Sequence, residues 1–337
     1  MEKKAQQGLG QQSVIEPNIF SFATSELSQD AMFAWLIKWA DVKYKPTDAA
    51  IHEIAQSFVR MLVGNGNFEI RTIAVYRQWN NIDICAEINN DTFLAIEDKT
   101  ETSVRGNQLD IYKKIVEDEY KGKKSKLYFA YVKTGNEPLD TINNIKGKGY
   151  RTISRNDIIQ CLNKYNGDNY LLLSYIQHLL RIEDETMSFM ELPVLDWDWY
   201  AWQGFYQVLE KELEISSWDY VANQSGGFLG AWWNARKIED GEMYLQFEQK
   251  KLCFKISYNG KRDRSEVRWE QYNKLIALAK EQGLNEVQKP QRFGIGNTMT
   301  IALVDSNHLF GDGKIDMKEI VSKLKKYQSL VDLCCKS

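Results

Sequence analysis

The sequence predicts an α/β (α+β) chain in two parts: a mixed central sheet flanked by helices, then a second α+β domain with an antiparallel sheet. Three observations lead there. The first half reads helix, helix, three strands, helix, strand, helices, an order that asks for a sheet covered by helices. After Leu192, four short strand-like runs follow one another with Gly-containing turns, as consecutive antiparallel strands do. And 337 residues are room for two ordinary domains. The expected division is a flexible leader (1–16), a first domain (17–190) and an aromatic-rich C-terminal domain (191–337).

The elements follow in order. The leader is polar and rich in Gln and Gly, without the apolar stretch of a signal peptide, so the protein is expected to be cytoplasmic. Thr24 and Ser25 are N-cap types, and Leu27, Met32, Phe33, Leu36 and Ile37 give an apolar helical stripe through Trp39. Pro46-Thr47-Asp48 starts a second helix running to about Val63, ended by Gly64-Asn65-Gly66-Asn67. Strands are expected over 68–76, 80–88 and 92–99, the last two joined by the turn Asn89-Asn90-Asp91. Residues 93–96 are all apolar, as in a central buried strand. From about Arg105, Leu109, Tyr112, Ile115 and Val116 take helical spacing; a strand over 127–132 and helices over 156–165 and 170–182 follow. Beyond Leu192 come an aromatic helix opening at 196–202, strands over 218–222, 228–236, 242–248 and 252–258, and a helix over 265–282. One or two strands up to Asp305 and a last helix from about Lys314 complete the chain.

Composition narrows the chemistry. Apolar residues make up 43% and charged residues 26%, the balance of a globular protein. No apolar run of about 18 residues exists, so no membrane span is expected. Five cysteines without Cys-x-x-Cys spacing argue against a disulfide framework and a zinc site. Only three histidines occur, far apart, which disfavours His-metal nucleases and Ser-His-Asp hydrolases. The net charge of −3 argues against a general nucleic-acid coat protein, though not against an enzyme with one local basic surface.

Carboxylates and lysine are left to do the chemistry. Strand side chains alternate, so Glu97 and Lys99 share one face while Asp98 points to the other. The hairpin turning at Asn89-Asn90-Asp91 brings Asp83 beside them. Two neighbouring carboxylates repel, and a divalent cation relieves that repulsion. Magnesium takes one or two protein carboxylates and completes its shell with water and phosphate oxygens.

Ile82-Asp83 followed fourteen residues later by Glu97-Asp98-Lys99 resembles the signature of the PD-(D/E)XK nuclease superfamily. Gln108 and Tyr112 match a Gln-x-x-x-Tyr pattern on the following helix, and Glu26 on the first helix stands where many members carry an extra acidic residue. The resemblance covers about residues 20–135 and departs at Ile82, where the name-giving motif has Pro. It implies a restriction-endonuclease-like core and magnesium-dependent hydrolysis of nucleic-acid phosphodiesters, with Mn2+ able to substitute and DNA expected ahead of RNA. By the same resemblance Asp83, Glu97 and Glu26 hold the metal, Lys99 assists the attacking water, and Gln108 and Tyr112 contact phosphate or the catalytic groups. The alternative is a nucleic-acid-binding or protein-interaction module without catalysis on the same fold. A protein partner through the C-terminal domain and a homodimer are further expectations.

Other features carry plainer readings. Asp30 is expected to be an exposed helical residue, and Asp98 to pair with a base behind the sheet. The lysines from Lys113 to Lys126 form a basic run expected next to the site, either tracking phosphates or simply solvated. Lys255, Lys261, Arg262 and Arg264 are a further basic surface. The tryptophans at 197, 199, 202, 218, 232 and 233 are expected in the core rather than stacking bases. Asp305 to Asp316 resembles a calcium loop superficially, but Leu309 and the misplaced Gly311 exclude an EF-hand.

Overall fold

The computed structural model describes residues 17–223 and 226–336. The leader therefore lies outside the described residues. The first half runs α1 (Glu26–Trp39), α2 (Ala49–Val63), β1 (Ile73–Trp79), β2 (Ile82–Ile88), β3 (Thr92–Lys99), α3 (Gln108–Glu119), β4 (Lys126–Lys133), α4 (Leu139–Gly147), β5 (Arg151–Ser154), α5 (Arg155–Leu162) and α6 (Tyr170–Met187). The second half runs α7 (Trp199–Glu212), β6 (Ile215–Val221), β7 (Phe228–Ile238), β8 (Gly241–Glu248), β9 (Lys251–Tyr258), α8 (Arg264–Glu281), β10 (Thr298–Val304), α9 (Ser306–Phe310) and α10 (Met317–Lys336). None of these helices is long and apolar enough to cross a membrane.

Local chemistry accounts for the boundaries near the site. Asp48 caps α2 by accepting from Ile51 N, and Gly64 ends it in the left-handed region at φ +77°. The first strand was expected from residue 68 but begins at Ile73. Residues 68–71 give their carbonyls elsewhere: Phe68 O to Arg60 Nε, Ile70 O to Gln56 Nε2 and Arg71 O to Val42 N. Those groups are therefore spent before a ladder can form. Three elements were not expected at all: α4, β5 and the five-residue α9, which is capped by Asp305. α4 has apolar residues only at Leu139, Ile142 and Ile145, and β5 is four residues with Ile153 as its one apolar member.

The first sheet has the order β1-β2-β3-β4-β5 and is mixed: β1 to β3 pair antiparallel, and β3 to β5 pair parallel. All eight residues of β3 are buried. Leu94 and Ile96 pack into the core formed with α1, α2, α5 and α6, while Phe93 and Ala95 face the α3 side with Val116. That alternation sends Asp98 toward α1, and Glu97 and Lys99 toward α3.

The second sheet, β10-β9-β8-β7-β6, is antiparallel throughout and shares one core with α7, α8 and α10. Gln288↔Leu303 is an isolated bridge beside β10, all that forms of the second strand considered there. The halves meet where α7 crosses α6. Gly204 makes the close approach possible, since a Cβ there would lie 1.9 Å from Thr186 O. Asn136 Nδ2 donates to Gln203 Oε1 at 2.8 Å, and Tyr200 OH donates to Glu101 Oε1 at 2.8 Å, tying the segment after β3 to the second half.

Candidate active site

β2 and β3 pair with Ile84 opposite Ile96, so the next rung sets Asp83 opposite Glu97 at the end of the sheet. Lys99 Nζ stands among three carboxylates: 2.8 Å from Glu97 Oε1, 3.4 Å from Asp83 Oδ2 and 3.6 Å from Glu26 Oε2. It also donates to the Asp98 carbonyl oxygen at 2.9 Å. Asp83 Oδ2 accepts from Asp98 N at 3.0 Å, which fixes the carboxylate against the neighbouring strand. Glu26, the first residue of α1, accepts from Thr102 Oγ1 at 2.6 Å. On the other side, Gln108 Nε2 at the start of α3 donates to Glu97 Oε1 at 2.7 Å and to Tyr112 OH at 3.1 Å. The structure thus brings together all six residues singled out in the sequence: Glu26, Asp83, Glu97, Lys99, Gln108 and Tyr112.

Burial sets the electrostatics. Glu97 is 1% exposed, and its carboxyl is pushed up to about 7 by burial and by the charge of Asp83, against the opposing pull of Lys99. Burial alone would lower Lys99; its hydrogen bond to Glu97 and the charges of Glu97, Asp83 and Glu26 outweigh that and raise it above the usual lysine range.

Behind the strand the expectations fail. Asp30, expected to be exposed, is 1% exposed. Asp98 meets no base; it accepts from Gln29 Nε2 at 2.8 Å, and Gln29 Oε1 in turn accepts from Thr134 Oγ1 and Tyr175 OH. Burial, then the nearby Asp30, drives the Asp98 carboxyl well above the usual range, while burial and the charge of Asp83 push Asp30 up to about 6. Asp30 Oδ1 and Asp98 Oδ2 otherwise lack hydrogen-bond partners, and a proton on Asp98 donated to Asp30 satisfies both. Gln78, also missed, lies 3.4 Å from Asp30 Oδ2 and 3.3 Å from Asp83 Oδ1, linking this pair to the site. Its signal was faint: a polar residue entering a turn, at φ +53°.

The donors suit a hard cation. Every ligand atom near Lys99 is oxygen, and Glu97 Oε2 is buried with no hydrogen-bond partner, as an atom kept for a metal would be. Among the described residues no three or more His, Cys, Asp or Glu side chains converge into a ready metal cage. Lys99 Nζ lies between the carboxylates instead. The residues fit a site for a hard divalent cation held by two protein carboxylates and completed by water and phosphate, rather than an all-protein one.

The lysines of the basic run that follow α3 lie elsewhere, while Lys113 and Lys114 stay on α3 beside Tyr112. Lys126 pairs with Thr92 at the opposite end of β3, seven residues from Lys99 and about 23 Å away at ~3.3 Å per residue. Four of the six tryptophans expected in the core are there: Trp197, Trp202, Trp218 and Trp233 join the second hydrophobic core. Trp199, the first residue of α7, is 38% exposed beside Tyr220, and Trp232, whose side chain alternates away from Trp233, is half-buried outside that core. Asp305, from the dismissed calcium loop, caps α9.

Set against known proteins, residues 17–187 match the family model of the PD-(D/E)XK nuclease superfamily. No curated protein and no solved structure matches the chain.

Proposed function

The chain belongs to the PD-(D/E)XK nuclease superfamily, and from that premise we propose that it hydrolyses phosphodiester bonds of nucleic acid, DNA ahead of RNA, with magnesium as cofactor and manganese able to replace it. The observation that supports this reading best is Lys99 held among Glu97, Asp83 and Glu26 at one end of the first sheet, with Glu97 Oε2 left unpartnered. In this reading residues 17–190 are the nuclease domain and 191–337 a second domain.

Asp83 and Glu97 hold the metal, with Glu26 contributing from the edge. When bound, the metal supplies positive charge to a phosphoryl oxygen and acidifies a water. Gln108 fixes the rotamer of Glu97 through its 2.7 Å hydrogen bond, and Tyr112 receives the second proton of the same amide. Lys99, on the strand face it shares with Glu97, orients the attacking water and offsets the charge that develops on the phosphate. The Asp98 carboxyl is turned away from this chemistry and secured by Gln29.

The test is cleavage of labelled single-stranded, duplex, nicked and branched DNA, and of RNA, each with magnesium, manganese or EDTA. Metal-dependent cleavage of any of them by the wild type, lost in Lys99→Ala, is the expected result. Absence of cleavage across the whole panel would overturn the reading.

A further inference from the structure

A nuclease needs cations near its chemistry to hold the phosphate backbone, and the lysines of 121–126 stand at the wrong end of the sheet. Along the outer edge of the sheet, from the Lys99 end back to the start of β5, the structure has a groove of another composition. An open cleft of about 860 Å³ wraps the outer edge of β5, between the C-terminal end of α2 on one side and α4 on the other. Arg60, Lys133, Lys146, Arg151 and Lys164 line it, with Glu137 and Asp157 as its two carboxylates. Five cations less two carboxylates leave +3 in one groove of a chain whose net charge is −3. Concentrating positive charge against the overall sign is how a local anion-binding surface is built into an acidic protein.

One end of the groove adjoins the site, and Arg151 and Lys146 line the other, at the start of β5. Lys133 is the register partner of Lys99 on the neighbouring parallel strand, and Ser154 at the groove is the partner of Lys133. Gly135 sits so close to the segment following Lys99 that a Cβ there would lie 2.2 Å from Thr100 O.

The groove's charges divide into structural and free ones. Lys133 is 3% exposed and committed to Thr102 O and Glu137. Asp157 is engaged in the capping box of α5 with Ser154. Arg60 and Arg151 each give Nε to a backbone carbonyl, Phe68 O and Met61 O respectively. Lys146 and Lys164 are exposed, and neither pairs with a carboxylate among the described residues. They are the cations with no task inside the fold.

We propose that this groove holds the sugar–phosphate backbone of the nucleic acid whose phosphodiester reaches the Asp83–Glu97–Lys99 site, with Lys146 and Lys164 as its free phosphate contacts. This rests on the proposed nuclease function. A peptide added to the unpaired edge of β5 is the competing occupant. β5 offers it only four residues of edge, whereas the surplus of cations suits phosphates.

The experiment measures binding of labelled single-stranded and duplex DNA to the full chain in EDTA, across about 50–200 mM salt. Wild type is compared with the double variant Lys146→Ala/Lys164→Ala and with Lys121→Ala/Lys124→Ala from the far end of the sheet. Cleavage by the wild type in magnesium is scored in parallel. The groove variant should lower the slope of log affinity against log salt by about 1.4–1.8, and the far-end variant should leave it unchanged. An unchanged slope in the groove variant, or equal drops in both, overturns the inference; if the wild type still cleaves, the nuclease reading survives it. A reduced slope confined to the groove variant, without cleavage on any substrate, upholds the groove and removes the hydrolytic reading. A wild type that binds no nucleic acid overturns both.

Discussion

Lys99→Met keeps most of the side chain's volume and removes its charge, which isolates what the ammonium does among the carboxylates. In the metal-free protein Nζ lies 2.8, 3.4 and 3.6 Å from Glu97, Asp83 and Glu26. At an effective dielectric of ~20 each contact is an attraction of roughly 4–6 kcal/mol. Desolvation of the buried groups offsets most of that sum, and removing one partner of such a cluster typically costs about 3–5 kcal/mol. The loss should depend on pH. The Glu97 carboxyl is raised to about 7 from its ordinary 4.5, so the unfolded chain gives up this proton first as pH rises. Ionised Glu97 therefore weighs on the native state, by about 3 kcal/mol once pH exceeds 7, and Lys99 is what limits the penalty. Urea unfolding in EDTA should show the full loss in Lys99→Met near pH 8.5, and a much smaller one near pH 5.5 where Glu97 is protonated. Magnesium should restore part of the stability, since it takes over the ammonium's electrostatic role. A variant within about 0.5 kcal/mol of wild type at both pH values would refute the reasoning, and equal losses at both would break the link to Glu97.

Three further outcomes are expected. With Glu97 as the proposed ligand, magnesium binding needs its ionised carboxyl, so calorimetric affinity should climb as pH rises toward about 7 and flatten above it, with protons released on binding below it; an affinity independent of pH between about 6 and 8 counts against Glu97 as a ligand. Gln108→Leu removes the 2.7 Å hydrogen bond to Glu97 and should weaken metal binding about 10–100-fold with little change in unfolding, whereas wild-type affinity would mean that Glu97 is held by other contacts. His178 is lowered to about 4 by burial and then by Arg181. The native state thus refuses a proton that the unfolded chain accepts near 6.5, and the stability this preserves above pH 6.5 should drain away as pH falls toward 4. His178→Gln should flatten that part of the acid unfolding profile, and an unchanged profile would assign the loss to other groups.

The site was more legible than its surroundings. The two-residue period of a strand is enough to put Glu97 and Lys99 on one face, and a tight hairpin is enough to bring Asp83 across to them. Glu26 and Gln108 could be named only through the family resemblance, and in the structure each opens its helix beside the strand ends. What lies behind β3 could not be read. Asp30 sits four residues from Glu26, where helical spacing allows exposure or burial equally, and only the packing of α1 against β2 and β3 turns it inward. Gln29 looks like any polar residue on an apolar helix, yet it bridges Asp98, Thr134 and Tyr175. The part of the basic run from Lys121 to Lys126 was misplaced for a reason the sequence did contain. A helix joining two parallel strands must carry the chain back to the start of the next strand, so residues after α3 have to lie far from the end of β3. In the second half the strands and the long helices were legible from alternation and turns, whereas the four residues of β5 and the five of α9 were not, because a period needs more length than that to show.

The most direct measurement is single-turnover cleavage of the best nucleic-acid substrate by wild type, Glu97→Gln and Lys99→Met in magnesium, with the fold of each variant checked by circular dichroism. Cleavage by the wild type alone is predicted, with metal binding lost in Glu97→Gln and kept in Lys99→Met. Comparable rates from either folded variant would contradict a catalytic centre built on Glu97 and Lys99.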